Sequence, residues 1–113
     1  MNEIRFSKEF SKDFSKLQNK AEKGKSEAEY LLRIVDRGIA KLASDLEAGK
    51  KIPGRLWPKE YAKEHDLRNL WKLNLDSYWR MLYTVVGNEA KIVGIVLDVL
   101  DHKKYSRKFG YKK

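Results

Sequence analysis

The chain has 113 residues, 42% hydrophobic and 36% charged, which suits one folded domain with a heavily charged surface and leaves too little chain for two. Its 25 Lys and Arg against 16 Asp and Glu give a net charge of +9, a balance that favours a polyanionic partner, either nucleic acid or an acidic protein segment. Without Cys there is no disulfide framework, thiol nucleophile or Cys-based zinc site, and His65 and His102 alone cannot build a His-rich metal centre, so no metal or cofactor is expected. The longest apolar run, Ile92 to Val99, is broken by Asp98 and falls far short of the ~20 residues of a membrane span. Met1 to Glu9 is polar and mixed in charge, unlike a secretory leader. The expectation is a soluble, cytoplasmic, single domain over residues 1–113.

Asn2 to Phe6 reads as a short strand, with Ile4 and Phe6 on one face. Ser7 is placed to cap a helix whose buried stripe is Phe10, Phe14 and Leu17, while Lys12, Lys16 and Lys20 face water with Lys23 and Lys25 beyond them. Gly24 ends this helix. Ser26 is expected to cap a second, with Glu27 and Glu29 in its first turn and Leu31, Val35, Ile39, Leu42 and Leu46 as its stripe. Gly49 stands where a left-handed cap residue is expected, with Lys50 and Lys51 at the negative end of the dipole. From Ile52 to Arg68 the pattern lapses into a basic connector punctuated by Pro53-Gly54 and Trp57-Pro58, anchored by Tyr61 and Leu67. His65 beside Asp66 reads as a loop hydrogen bond.

The period then changes to two. Trp71, Leu73 and Leu75 alternate with Lys72, Asn74 and Asp76; Asp76 to Tyr78 forms a turn, and Trp79 to Val86 returns as the partner strand, with Trp79 packing on the hairpin. A second turn at Gly87 to Glu89 leads to a long apolar strand, Lys91 to Asp101, expected to be buried on both faces and central. The tail from His102 to Lys113 is short, aromatic and basic. The fold class is therefore α+β: an N-terminal helical hairpin packed on a three- to five-stranded antiparallel sheet, in two layers, with the other sheet face open to solvent or partner.

The run Asn69-Leu-Trp-Lys-Leu-Asn-Leu-Asp-Ser-Tyr-Trp-Arg-Met-Leu-Tyr-Thr-Val-Val86 resembles the central hairpin of RelE/ParE-type toxins, in which an aromatic–Lys–hydrophobic strand turns into a Tyr/Trp-Arg-hydrophobic-hydrophobic-Tyr strand. Val99-Leu-Asp-His-Lys103 resembles that family's segment at the end of its last long strand, and the two leading helices match as well. The resemblance implies the toxin of a type II toxin–antitoxin pair. RelE-like members cut messenger RNA in the ribosomal A site, ParE-like members act on DNA gyrase, and both are neutralised by an antitoxin, here expected to be acidic.

A metal-free ribonuclease lets the ribose 2′-OH attack the adjacent phosphorus, so the protein must remove the 2′ proton, balance charge on the phosphorane and protonate the leaving oxygen. Arg80 is the first candidate, because a guanidinium grips phosphate oxygens in a fork and stays charged; the alternative is a surface Arg paired to Asp76 or Asp101. Lys72 aligns with a family lysine near the scissile phosphate, or is an ordinary strand lysine. His102 can act as acid or base with an ordinary pKa of ~6.5, or can cap the strand end. Lys103 takes a family Arg position, and Tyr105 or Tyr111 can stack on a base or donate a proton. Lys104, Arg107 and Lys108 of the tail, with Arg68 and Arg55 of the connector, are candidates for further messenger or ribosomal RNA contacts. The family pattern has a second lysine where this chain has Asn74; an amide is no general base, so that role falls on His102 or Lys72. The rival reading is a non-catalytic binder, either a ParE-like gyrase inhibitor or a degenerate toxin that only binds its antitoxin; a plain RNA-binding domain is a third.

Overall fold

The computed structural model describes residues 1–88 and 90–110. Its elements are β1 (Glu3–Phe6), α1 (Lys8–Glu22), α2 (Ser26–Ser44), β2 (Lys50–Lys51), α3 (Lys59–Glu64), β3 (Trp71–Asn74), β4 (Trp79–Gly87), β5 (Ile92–Asp101) and α4 (His102–Lys108), with a 3-10 turn at Gly54–Leu56. The strands form one sheet in the order β1-β5-β4-β3-β2. All neighbours are antiparallel except β1, which runs parallel to β5. The α+β class and the helical hairpin expected from periodicity are both present.

Ser7 caps α1 as expected, its hydroxyl accepting the Phe10 N–H at 3.1 Å. The Phe10 stripe turns inward, with edge-on contacts from Phe6 to Phe10 and Phe14 at 4.9 and 5.2 Å between ring centroids. Gly24 takes a left-handed conformation (φ 82°) that ends the helix. Because the chain leaves that turn already aimed along the next axis, α2 starts at Ser26 itself and extended Lys25 occupies the cap position without a side-chain bond. Phe10, Val35 and Leu42 then pack with Leu73, Met81, Tyr83 and Val96 into a core between the hairpin and one sheet face.

Gly49 departs from its expected role. Helix α2 stops at Ser44, and Gly49 sits instead where β2 closes on β3: a Cβ there would lie 2.5 Å from the Lys72 carbonyl oxygen and 2.9 Å from the Tyr83 hydroxyl. That hydroxyl accepts the Gly49 N–H at 3.1 Å and donates to the Leu46 carbonyl at 2.7 Å, so a fully buried tyrosine holds the segment that leads into β2.

The largest correction concerns the second sheet face, which is not open. A second core of Ile52, Tyr61, Leu70, Leu82, Leu97, Leu100 and Tyr105 lies there, formed by the connector and the tail. The connector contains α3, and residues 102–108 of the tail are α4, capped by Asp101 Oδ1 accepting the Lys104 N–H at 2.8 Å. Each helix is under eight residues and carries mostly charge, so neither shows two turns of apolar periodicity. Strand β5 is buried on both faces as expected, although it lies second from the edge and β4 is central. A bulge lets it serve both cores: Leu82 pairs with Asp98 and Tyr83 with Val96, leaving Leu97 extra, so that Leu97 and Asp98 both address the α3/α4 side. Among the described residues no helix is long and apolar enough to cross a membrane.

Candidate functional site

Strand parity decides which side chains of the β3–β4 hairpin meet. Leu73 and Met81 pair across the strands and enter the hairpin core; Leu82, opposite Lys72, enters the second core. Lys72 and Arg80 therefore share the face away from α1 and α2. Tyr105 of α4 completes the group: Lys72 Nζ lies 5.3 Å and Arg80 Cζ 5.2 Å from the centroid of its ring. The buried Tyr105 ring also stacks on Phe109 at 4.5 Å, which fixes its plane.

The electrostatics of this group are one-sided. Arg80 is half-buried; one terminal nitrogen donates to the Tyr78 carbonyl at 3.3 Å, and its Nε is buried without a hydrogen-bond partner. Neither Asp76 nor Asp101 forms an ion pair with it, although Asp76 feels its charge: against burial, the hydrogen bonds from Tyr30, Trp79 and Tyr78 and the Arg80 guanidinium hold that carboxyl below its ordinary value. Asp76 Oδ1 is taken by the N–H groups of Tyr78 and Trp79 and its Oδ2 by the Tyr30 hydroxyl, while Asp101 caps α4. Among the described residues the ion pairs are confined to Glu3, with Arg5 and Lys91. Burial pushes the Lys72 amine below its ordinary value, and the positive charges of Arg80 and Lys50 lower it further. Two cations held together around one ring, with no carboxylate in an ion pair with either among the described residues, form an arrangement chemically able to hold an anion.

The remaining candidates are distributed less favourably. His102 is exposed at the start of α4, and no hydrogen bond, ion pair or ring contact joins it to Lys72 or Arg80 among the described residues. No hydrogen bond from its side chain to backbone is found among the described residues, and the cap of α4 is Asp101. Lys103 is exposed on the same turn. Lys104, Arg107 and Lys108 line a cleft of about 460 Å³ between α4 and α3, but Glu60 and Glu64 line it too, so it is of mixed sign. Lys108 Nζ sits 4.3 Å from the Tyr61 ring centroid. Arg55 and Arg68 are exposed on the connector and do not line that cleft. Tyr111 lies outside the described residues. Trp79 lines a separate cavity of about 770 Å³ with Leu17, Leu31 and Tyr78, in keeping with hairpin packing.

Two features escaped sequence reading. Asp98, the single acid in the apolar run, is turned toward α3, where its Oδ2 accepts the Tyr61 hydroxyl at 2.8 Å. Burial raises its carboxyl above the ordinary value, against the opposing hydrogen bond from Tyr61 and the charges of Lys108 and His65; Tyr61 in turn is raised by burial and by Asp98. A lone carboxylate inside an unbroken apolar strand was the available signal. His65 packs edge-on against Tyr61 at 4.7 Å, with no hydrogen bond to Asp66, and its ring comes within 4.8 Å of carboxylates of Glu9 and Glu64. Both carboxylates are exposed, and such groups often adjoin without a cation.

Compared with known proteins, the chain matches no protein-family model, no curated protein and no solved structure.

Proposed function

We propose that this protein is a RelE-like toxin: a metal-independent endoribonuclease acting on ribosome-bound messenger RNA and held silent by an acidic antitoxin. The observation that carries the reading is the convergence of Lys72 and Arg80 on Tyr105 without a neutralising carboxylate. The resemblance of the Asn69–Val86 hairpin to that family and the +9 charge support it.

The chemistry follows from Lys72 and Arg80. The neutral amine of Lys72, a form that burial and the charges of Arg80 and Lys50 favour relative to an ordinary lysine, takes the 2′-hydroxyl proton and becomes the ammonium. The 2′ oxygen bonds to phosphorus as the bond to the 5′ oxygen breaks, leaving a cyclic phosphate and a 5′-hydroxyl. The Arg80 guanidinium balances the charge that builds on the phosphorane oxygens. Water or the Tyr105 hydroxyl returns a proton to the departing oxygen. His102, exposed and without a contact to either cation among the described residues, is given no role in this scheme.

Induced expression tests it. The wild type is expected to arrest growth and to give codon-positioned cuts in primer extension on translated messages, and Arg80→Ala to do neither. Equal arrest by both forms removes Arg80 from the mechanism. Asn74 in place of a second lysine, together with the lack of any contact from His102 to the group among the described residues, favours one other reading: a binder without catalysis, either a gyrase inhibitor or a protein that only engages its antitoxin. DNA breaks with intact messages support the gyrase branch, and neither lesion supports the antitoxin-binding branch.

A further inference from the structure

The edge strand β2 has two residues, both lysines, and their side chains go to opposite faces. Lys51 pairs with Trp71 and places its Nζ 5.8 Å from the Trp71 ring centroid; Trp71 stacks on Tyr83, so this is the face of α1 and α2. Lys50 must then stand on the other face, directly opposite Lys72. Leu82 stands opposite Lys72 on β4, and Arg80 lies two residues along that strand opposite Asn74, so the three cations run diagonally over β2, β3 and β4 on one face.

A pair of like charges set opposite each other across two strands is repulsive in the free protein. Among the described residues no carboxylate forms an ion pair with Lys50, Lys72 or Arg80, although the charge of Asp76 acts on Arg80. The placement of Lys50 is nonetheless fixed. Gly49, the residue before it, is bonded to the buried Tyr83 hydroxyl and packs against the Lys72 carbonyl so closely that no side chain fits. The residue after Lys51 is held as well, the Ile52 N–H donating to Leu70 O at 2.8 Å and Ile52 lying in the second core. A repulsive pair held on rigid backbone is what an anion-binding site looks like before its ligand arrives.

The row also has a length. Adjacent strands lie about 4.8 Å apart and a strand rises about 3.4 Å per residue, so Lys50 and Arg80, two strands apart and offset by two residues, are separated by about 12 Å at the backbone. One phosphate gripped by Arg80 and Lys72 does not fill that span, but a second phosphate of the same strand does.

We propose that Lys50 binds the phosphate next to the one held by Lys72 and Arg80, so that single-stranded RNA crosses the sheet from β4 over β3 to the β2 edge. This rests on the RNA reading above and adds to it a direction and a residue.

The test is binding of a short 2′-O-methyl RNA, which cannot be cleaved, to the full chain across a salt series. Neutralising one phosphate contact on a single strand contributes about 0.7 to the slope of log K against log salt, which is about fivefold in affinity at 0.1 M. Lys50→Gln is expected to lower the slope and the affinity by those amounts, Lys50→Arg to restore both, and Lys51→Gln, on the opposite face, to change neither. If Arg80→Ala weakens binding while Lys50→Gln matches the wild type, the inference is overturned and the RNA reading stands. If Arg80→Ala also binds like the wild type, the RNA reading fails and the inference with it.

Discussion

Removing one oxygen, in Tyr83→Phe, tests whether the β2 edge is held as described. The ring is fully buried and stacks on Trp71 at 5.9 Å, so phenylalanine keeps the packing and leaves a void no larger than a hydroxyl. What is lost is a pair of bonds, to the Leu46 carbonyl at 2.7 Å and from the Gly49 N–H at 3.1 Å. A buried backbone group without a partner costs about 1–3 kcal/mol; Leu46 is buried and Gly49 is half-buried, so water recovers part of the second loss. The sum is about 2–4 kcal/mol, a large share of the about 5–15 kcal/mol that holds a domain of this size. Urea unfolding followed by tryptophan fluorescence should show a lower midpoint at unchanged slope, and thermal unfolding a fall of about 10 °C. Because the same hydroxyl positions Lys50, the variant should also lose part of the salt dependence of RNA binding. A stability within about 0.5 kcal/mol of the wild type would refute the argument, since that is the spread of neutral surface changes.

Three further outcomes are expected. Gly49→Ala forces a methyl to 2.5 Å from a backbone oxygen and should cost about 1–3 kcal/mol in urea unfolding, more than Gly24→Ala, where a Cβ meets nothing within 4 Å and only the positive φ is strained. Asp98 has a folded pKa above its unfolded one, so its contribution to stability is greatest when it is protonated and falls as pH rises through the raised value. Asp98→Asn keeps an acceptor for Tyr61 and should unfold at higher urea than the wild type at neutral pH, with the difference shrinking in acid; parallel pH curves would count against it. Lys72→Arg keeps the charge but does not surrender its proton, so cleavage should fall on the order of 100-fold or more while affinity for uncleavable RNA holds. Equal losses of both would assign Lys72 to binding alone.

The main frame of the fold was legible because it rests on long periodic segments. Phe10, Phe14 and Leu17 mark one helix stripe, Leu31 to Leu42 another, and Trp71, Leu73 and Leu75 a strand face, each long enough for the period to show. The second core was not, because its covers are α3 and α4. Their apolar residues, Tyr61 in one and Tyr105 in the other, each stand alone in a charged turn. The cap at Asp101 and the four-residue spacing of Tyr105 and Phe109 were the visible hints of α4. For the site, parity placed Lys72 and Arg80 together, since alternation along paired strands needs only a tight turn. Lys50 was beyond reach: a two-residue strand has no period, and its face is settled only by the register with Lys72 and Trp71. The surroundings of His102 were equally out of reach. Its position in sequence, two residues from Leu100, says nothing of the helix that begins there and carries it onto an exposed turn.

The covered second face also explains how cations can be partly desolvated without an acid to pair with. Leu82, Leu97 and Leu100 lie on that face, and Tyr105 packs with them. Its ring lies in the core with Phe109 and at the same time carries Lys72 and Arg80. A cation over an aromatic ring gains about 0.5–2 kcal/mol without losing its charge, whereas a carboxylate in that place would neutralise both and compete with any phosphate. Tyr105→Leu should therefore preserve the core but release the two cations into solvent, and RNA affinity should fall although no charge has been removed. Tyr105→Phe, which keeps the ring, should bind like the wild type; if it binds like the leucine variant, the hydroxyl rather than the ring organises the site.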